Sequence, residues 1–100
     1  MPYRISYSPE AWDHLQRLTA NQRALVLQAV DTQLTHQPTV ETRNRKLMKP
    51  NPIAPWELRV RNLRVYYKVE DDPESVVSIR GVGVKIRNHV WLGGEEVEFP

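Results

Sequence analysis

The segment Trp56-Glu-Leu-Arg-Val-Arg-Asn-Leu-Arg-Val-Tyr-Tyr-Lys-Val-Glu carries Arg59, Arg61, Arg64 and Lys68 interleaved with Leu58, Val60, Leu63, Val65, Tyr67 and Val69. Successive side chains of a strand point to opposite faces of a sheet. The pattern therefore separates an apolar face from one bearing Glu57, Arg59, Arg61, Arg64, Tyr66 and Lys68. Guanidinium groups stay charged and offer forked donors that match phosphate oxygens. Between Arg43 and Lys68 the chain holds eight Lys or Arg and one acid, Glu57, against a net charge of only +2 overall. Charge so concentrated, on a rigid support, suits a polyanion. Downstream, Lys85 adds a cation and His89 adds the side chain type that most readily transfers protons near neutrality.

The elements that must position these groups follow from two periodicities. Tyr3, Ile5 and Tyr7 alternate with Arg4, Ser6 and Ser8, which predicts a short first strand with one buried face. Ser8-Pro9-Glu10 reads as a helix start, with a hydroxyl cap, a proline where no amide donor is needed, and a carboxylate at the positive end of the dipole. Ala11, Leu15 and Leu18 supply its buried stripe. Thr19-Ala-Asn-Gln22 is a capping box, and Leu25, Val26, Ala29, Val30 and Leu34 continue at helical spacing to a stop before Pro38. The two helices, joined almost without a linker, are expected to form a hairpin on one face of the sheet.

From Pro38 to Pro55 run 18 residues with four of the eight prolines, too irregular for a long element. Arg43, Arg45, Lys46 and Lys49 make this stretch either a flexible basic arm or a solvated loop pinned by Leu47 and Met48. After it, Asn62 allows a tight turn, Asp71-Asp-Pro-Glu-Ser a second one, and Val76 opens another strand. Gly81-Val-Gly, with no helix following, reads as close backbone packing or a bulge. His89-Val-Trp-Leu, Gly93-Gly94 and Glu95-Glu-Val-Glu form a terminal hairpin with an acidic last strand. The expected fold class is α+β: an N-terminal strand, then a two-helix hairpin on one face of a mainly antiparallel sheet. Residues 1–100 make a single domain.

Composition excludes several function classes. With no cysteine there is no disulfide, thiolate nucleophile or Cys-based zinc site, and His14, His36 and His89 lack metal-ligand spacing, so neither a metal nor another cofactor is expected. No apolar run approaches the roughly 20 residues of a membrane span, and the N-terminus lacks the apolar core of a signal peptide, which leads to a cytoplasmic expectation with no membrane partner.

The order strand, helix, helix, antiparallel strands, together with Trp56-Glu-Leu-Arg-Val, Leu63-Arg-Val-Tyr-Tyr-Lys-Val and Val76-Val-Ser-Ile-Arg-Gly-Val-Gly-Val-Lys, resembles the RelE/ParE superfamily of toxins from type II toxin-antitoxin modules. That resemblance implies an antitoxin partner and, in the ribonuclease branch, metal-independent cleavage of messenger RNA on the ribosome, hence inhibition of translation. It matches Arg59, Arg64 and Lys85 to the family's basic positions; with the charge pattern and His89 added, the candidate site is Arg64, Lys85 and His89 for catalysis and Arg59, Arg61, Arg45, Lys46 and Trp91 for RNA binding. Trp91 stands where ribonuclease members often keep a tyrosine; an indole stacks on bases but does not exchange a proton. Glu57 occupies a position that is basic in some members, where a carboxylate acts as a base or pairs with an arginine. In the ParE branch the same scaffold inhibits DNA gyrase without nuclease chemistry, and a third possibility is a toxin-fold protein that binds its antitoxin but is inactive.

Overall fold

In the computed structural model, which describes residues 2–100, β1 (Arg4–Tyr7) leads into α1 (Pro9–Gln16) and α2 (Ala20–Leu34). β2 (Arg45–Leu47), β3 (Trp56–Val60), β4 (Leu63–Glu70), β5 (Val76–Ile86), β6 (His89–Leu92) and β7 (Glu95–Val97) follow. The sheet runs β2-β3-β4-β5-β6-β7, every neighbouring pair antiparallel. β1 adds to β5 in parallel, Arg4 opposite Val76 through Tyr7 opposite Ile79. β5 is long enough to hold β1 along its first half and β6, from Gly83 to Ile86, along its second. The fold is α+β, as the alternations predicted.

Both helix starts take their capping form. Ser8 Oγ accepts from the Ala11 amide at 3.0 Å, with Pro9 following. Thr19 Oγ1 accepts from the Gln22 amide at 3.1 Å while Gln22 Oε1 accepts from the Thr19 amide at 3.0 Å. Arg23 closes the short gap between the helices by donating to the carbonyls of Leu15 and Leu18 at the end of α1, the end where orphan carbonyls favour a cation.

The principal core lies between the helices and one face of the sheet. Leu15, Val26, Val30, Leu34, Leu58, Val65, Tyr67 and Val77 are all fully buried there, with Ile5, Leu18 and Val60 packed at its margin. Tyr67 stacks on Trp56 and donates its hydroxyl to the Pro38 carbonyl at 2.6 Å. Burial raises the Tyr67 pKa, so the phenol remains a donor.

A second, smaller cluster occupies the other face. Tyr66, fully buried, lies there with Ala54, Val90 and Leu92, and Met48, Ile53, Val97 and Phe99 close over them. The expected open row of cations is therefore divided: a hydrophobic patch fills the middle of that face.

Position by position, the 38–55 stretch also departs from expectation. It contains the three-residue strand β2, and Asn51 organises the remainder, its side chain bonding the Ile53 and Ala54 amides and the Lys49 and Ala54 carbonyls. Met48 is pinned as expected, but onto the second cluster, and Leu47 is exposed. At the β3–β4 turn the left-handed residue is Arg61, with φ 57°, rather than Asn62. Gly81-Val-Gly does mark a bulge: the β4–β5 register jumps between Tyr66 opposite Gly81 and Tyr67 opposite Ile79. A Cβ on Gly83 would stand 2.1 Å from the Trp91 carbonyl oxygen, so only glycine lets β6 approach there.

Candidate RNA-binding cleft

β3, the end of β5, β6 and the C-terminal segment surround an open cleft of about 760 Å³, lined by Lys46, Glu57, Arg59, Lys85 and His89 among others. β2 and β3 bring Lys46 opposite Glu57, and β3 alternation places Glu57 and Arg59 on the same face. The β5–β6 hairpin supplies Lys85 and, across the Arg87-Asn88 turn, His89. The Lys85 amide is tied to the Asn62 carbonyl at 2.7 Å, which fixes the β5 end against the β3–β4 turn.

Glu57 is the organising group. Its Oε1 accepts from Arg59 Nε and its Oε2 from the Tyr66 hydroxyl, each at 3.0 Å, and the carboxylate is nearly buried while Arg59 remains half exposed. A charged acceptor that is satisfied on both oxygens persists in such a place where an unpaired one would not. Burial, and then the neighbouring Glu57 charge, push the Tyr66 pKa upward, so this phenol stays protonated and acts as a fixed donor. Arg59 Nε is committed to Glu57, which leaves the outer edge of its guanidinium facing the cleft. Among the described residues Lys46 and Lys85 make no ion pair. His89 Nδ1 contacts Glu96 of β7.

Other expected site residues lie elsewhere. Arg64 is buried, its Nη1 donating to the Arg61 and Leu63 carbonyls at 2.7 and 2.8 Å, so it braces the β3–β4 turn instead of presenting its charge to the cleft. Arg45 is buried too, donating to the Val40 and Gln33 carbonyls and so tying β2 to the end of α2. Two unsatisfied carbonyl groups there need a donor more than solvent needs a charge. Arg61 occupies the turn and is exposed, outside the cleft. Trp91 lies outside the cleft, beside Leu18, Val84, Ile86 and Gly93: β6 sends Val90 and Leu92 to the second cluster, and the register puts His89 and Glu96 on the side of Trp91, so those two line the cleft from its edge.

Sequence reading overlooked the cleft's other wall. Glu96, Glu98 and Phe99 line it, and Phe99 stacks on Tyr66 with ring centroids 4.9 Å apart. The acidic run at 95–98 and the chain's single phenylalanine were visible, but nothing local says a tail will fold back over a sheet.

No protein-family model matches the chain, and no curated protein matches it. Among solved structures, the toxin-antitoxin complex RelBE2 from Mycobacterium tuberculosis superimposes with a TM-score of 0.70 at 21% identity, covering 85% of this chain and 100% of that one. The chain has the RelE-like toxin fold. Such identity carries the architecture, and the RelE-like sheet here exposes its cleft on the face opposite the helices. No helix is long and apolar enough to cross a membrane among the described residues.

Proposed function

We propose that the protein is the toxin of a toxin-antitoxin pair and cleaves messenger RNA on the ribosome without a metal. The observation that carries this reading is the convergence of Glu57, Arg59, Lys85 and His89 in one open cleft. Cleavage of this kind needs a base to take the 2′-hydroxyl proton, cations on the nonbridging oxygens as charge develops, and an acid to protonate the leaving 5′-oxygen. Glu57 is the candidate base. Arg59 and Lys85 are the phosphate ligands, and preorganised charge of this sort is usually the largest catalytic contribution. His89 is the candidate acid, and Lys46 extends the cationic wall towards the next phosphate. The 2′-oxygen bonds to phosphorus as the 5′-oxygen leaves, giving a 2′,3′-cyclic phosphate and a free 5′-hydroxyl. Arg64 and Arg45 serve as positioning residues in this reading, and Trp91 and Arg61 fall outside the chemistry. The fold's likeness to a toxin solved with its antitoxin supports an antitoxin partner, which would neutralise by covering the cleft with an acidic segment, in the cytoplasm where ribosomes are.

A gyrase-inhibiting toxin without nuclease activity is the second reading. It is favoured by Arg64 being consumed internally and by a tryptophan, lying outside the cleft, at the position of the family tyrosine. Induced expression with mapping of transcript ends, beside a DNA supercoiling assay, separates the two. New 5′-hydroxyl ends within coding sequence support the nuclease; relaxed plasmid with intact transcripts supports the inhibitor.

A further inference from the structure

The C-terminal segment that walls the cleft has the wrong charge for a polyanion site. β7 is held to β6 by Val90 opposite Val97 and Trp91 opposite Glu96. Beyond it, Glu98 and Phe99 continue along the cleft that holds Lys46, Lys49, Arg59 and Lys85. Phe99 is latched by its stack on the buried Tyr66 and by the second cluster. Glu96 reaches the His89 imidazole. Glu98 shares the cleft without pairing to any of the four cations, among the described residues. A carboxylate held near Lys46, Lys49 and Lys85, which make no ion pair among the described residues, lowers the potential that an incoming phosphate meets.

Two features separate this arrangement from an ordinary exposed acidic end. The apolar latch fixes the strap on the site face, and one of its carboxylates touches the very side chain that the proposed chemistry needs free. We propose that residues 95–99 form an autoinhibitory strap, an internal anionic competitor that occupies the cleft until a nucleic-acid backbone displaces it. Phe99 is the latch, and Glu96 and Glu98 are the competing charges. The proposal rests on the polyanion reading of the cleft. It adds that this protein holds its own site in a weakened state, separately from any partner.

The test is equilibrium binding of the full chain to a short single-stranded RNA with 2′-O-methyl groups throughout, which cannot be cleaved, followed by fluorescence anisotropy at fixed ionic strength. The double variant Glu96→Gln, Glu98→Gln keeps the shape of the strap and removes its charge. The control Glu70→Gln, Glu74→Gln makes the same change in net charge at the far end of β4 and β5, where Glu70 lies opposite Val76. The strap predicts binding about five- to tenfold tighter for the first variant, the scale of two exposed charge contacts, and under about twofold for the control. Phe99→Ala, which releases the latch while leaving both carboxylates, should also tighten binding. Unchanged or weaker binding in the strap variants, or equal tightening in the control, overturns the strap and leaves the cleft reading intact. Failure of the wild-type chain and every variant to bind the RNA overturns both.

Discussion

The two faces of the sheet are built by different means. The helix-side face is closed by α1 and α2, whose buried positions recur every three or four residues, and among the described residues it holds thirteen buried ones in one cluster. The cleft-side cluster holds four, closed by a proline-rich loop and a tail with no repeating pattern. Adjacent tyrosines divide between them: Tyr67 packs into the first and Tyr66 into the second. Regular elements give the first face rigidity, and irregular ones leave the second open enough to carry polar groups. On the proposed reading, stability resides on one side and chemistry on the other.

The sharpest way to break that comparison is to cut equally on both sides. Leu58→Ala, in the helix-side core, should cost about 3 to 5 kcal/mol and lower the denaturant midpoint accordingly. Phe99→Ala, in the cleft-side cluster, should cost only about 1 to 2 kcal/mol because its ring is partly exposed. Equal losses in urea unfolding would mean that the two clusters form one cooperative core.

Arg45 and Lys46 sharpen it at adjacent residues. Arg45→Ala orphans the Val40 and Gln33 carbonyls and should destabilise by about 1 to 3 kcal/mol, whereas Lys46→Ala should leave the urea midpoint unchanged within about 0.5 kcal/mol and weaken RNA binding instead. A stable Arg45 variant with lost binding would reverse their roles.

A smaller effect belongs to His14. β5 loses one neighbour after Ile79 and gains another at Gly83. In that gap the Val82 amide donates to His14 Nδ1 at 3.2 Å. Burial lowers the His14 pKa, with the nearby charges of Asp13, Arg17, Glu10 and Glu95 acting in both directions. Because the folded value lies below the unfolded one, the unfolded chain binds the extra proton first. Stability is therefore full above the ordinary histidine pKa, about 6.5, and falls as the pH drops below it. His14→Gln should flatten this part of the stability-pH curve, measured by thermal melts between about pH 7 and pH 5; an unchanged slope would assign the titration to other groups.

The helices, their caps, the strand faces and the terminal hairpin could be read from local sequence because each rests on a short-range rule: a cap oxygen, a period of two, a Gly-Gly turn. Arg45 and Arg64 could not be placed that way. Alternation says which face a side chain starts from, but not that a long guanidinium will curl back to a carbonyl that lacks a donor. The same limit hid the wall formed by Glu96, Glu98 and Phe99, whose position depends on a tail meeting a strand some thirty residues earlier in the chain.

The central claim is that the cleft, and not the whole basic surface, does the chemistry. Purified protein added to ribosomes carrying a defined message tests it directly, with wild type compared against Arg59→Ala and Arg61→Ala, cations two residues apart of which only the first lines the cleft. The account predicts 2′,3′-cyclic phosphate ends from the wild type, a loss of about 10- to 100-fold for Arg59→Ala as a charge-assisted phosphate contact disappears, and near-normal cleavage for Arg61→Ala. Wild-type protein that leaves the ribosome-bound message intact, or equal losses at Arg59 and Arg61, would contradict it.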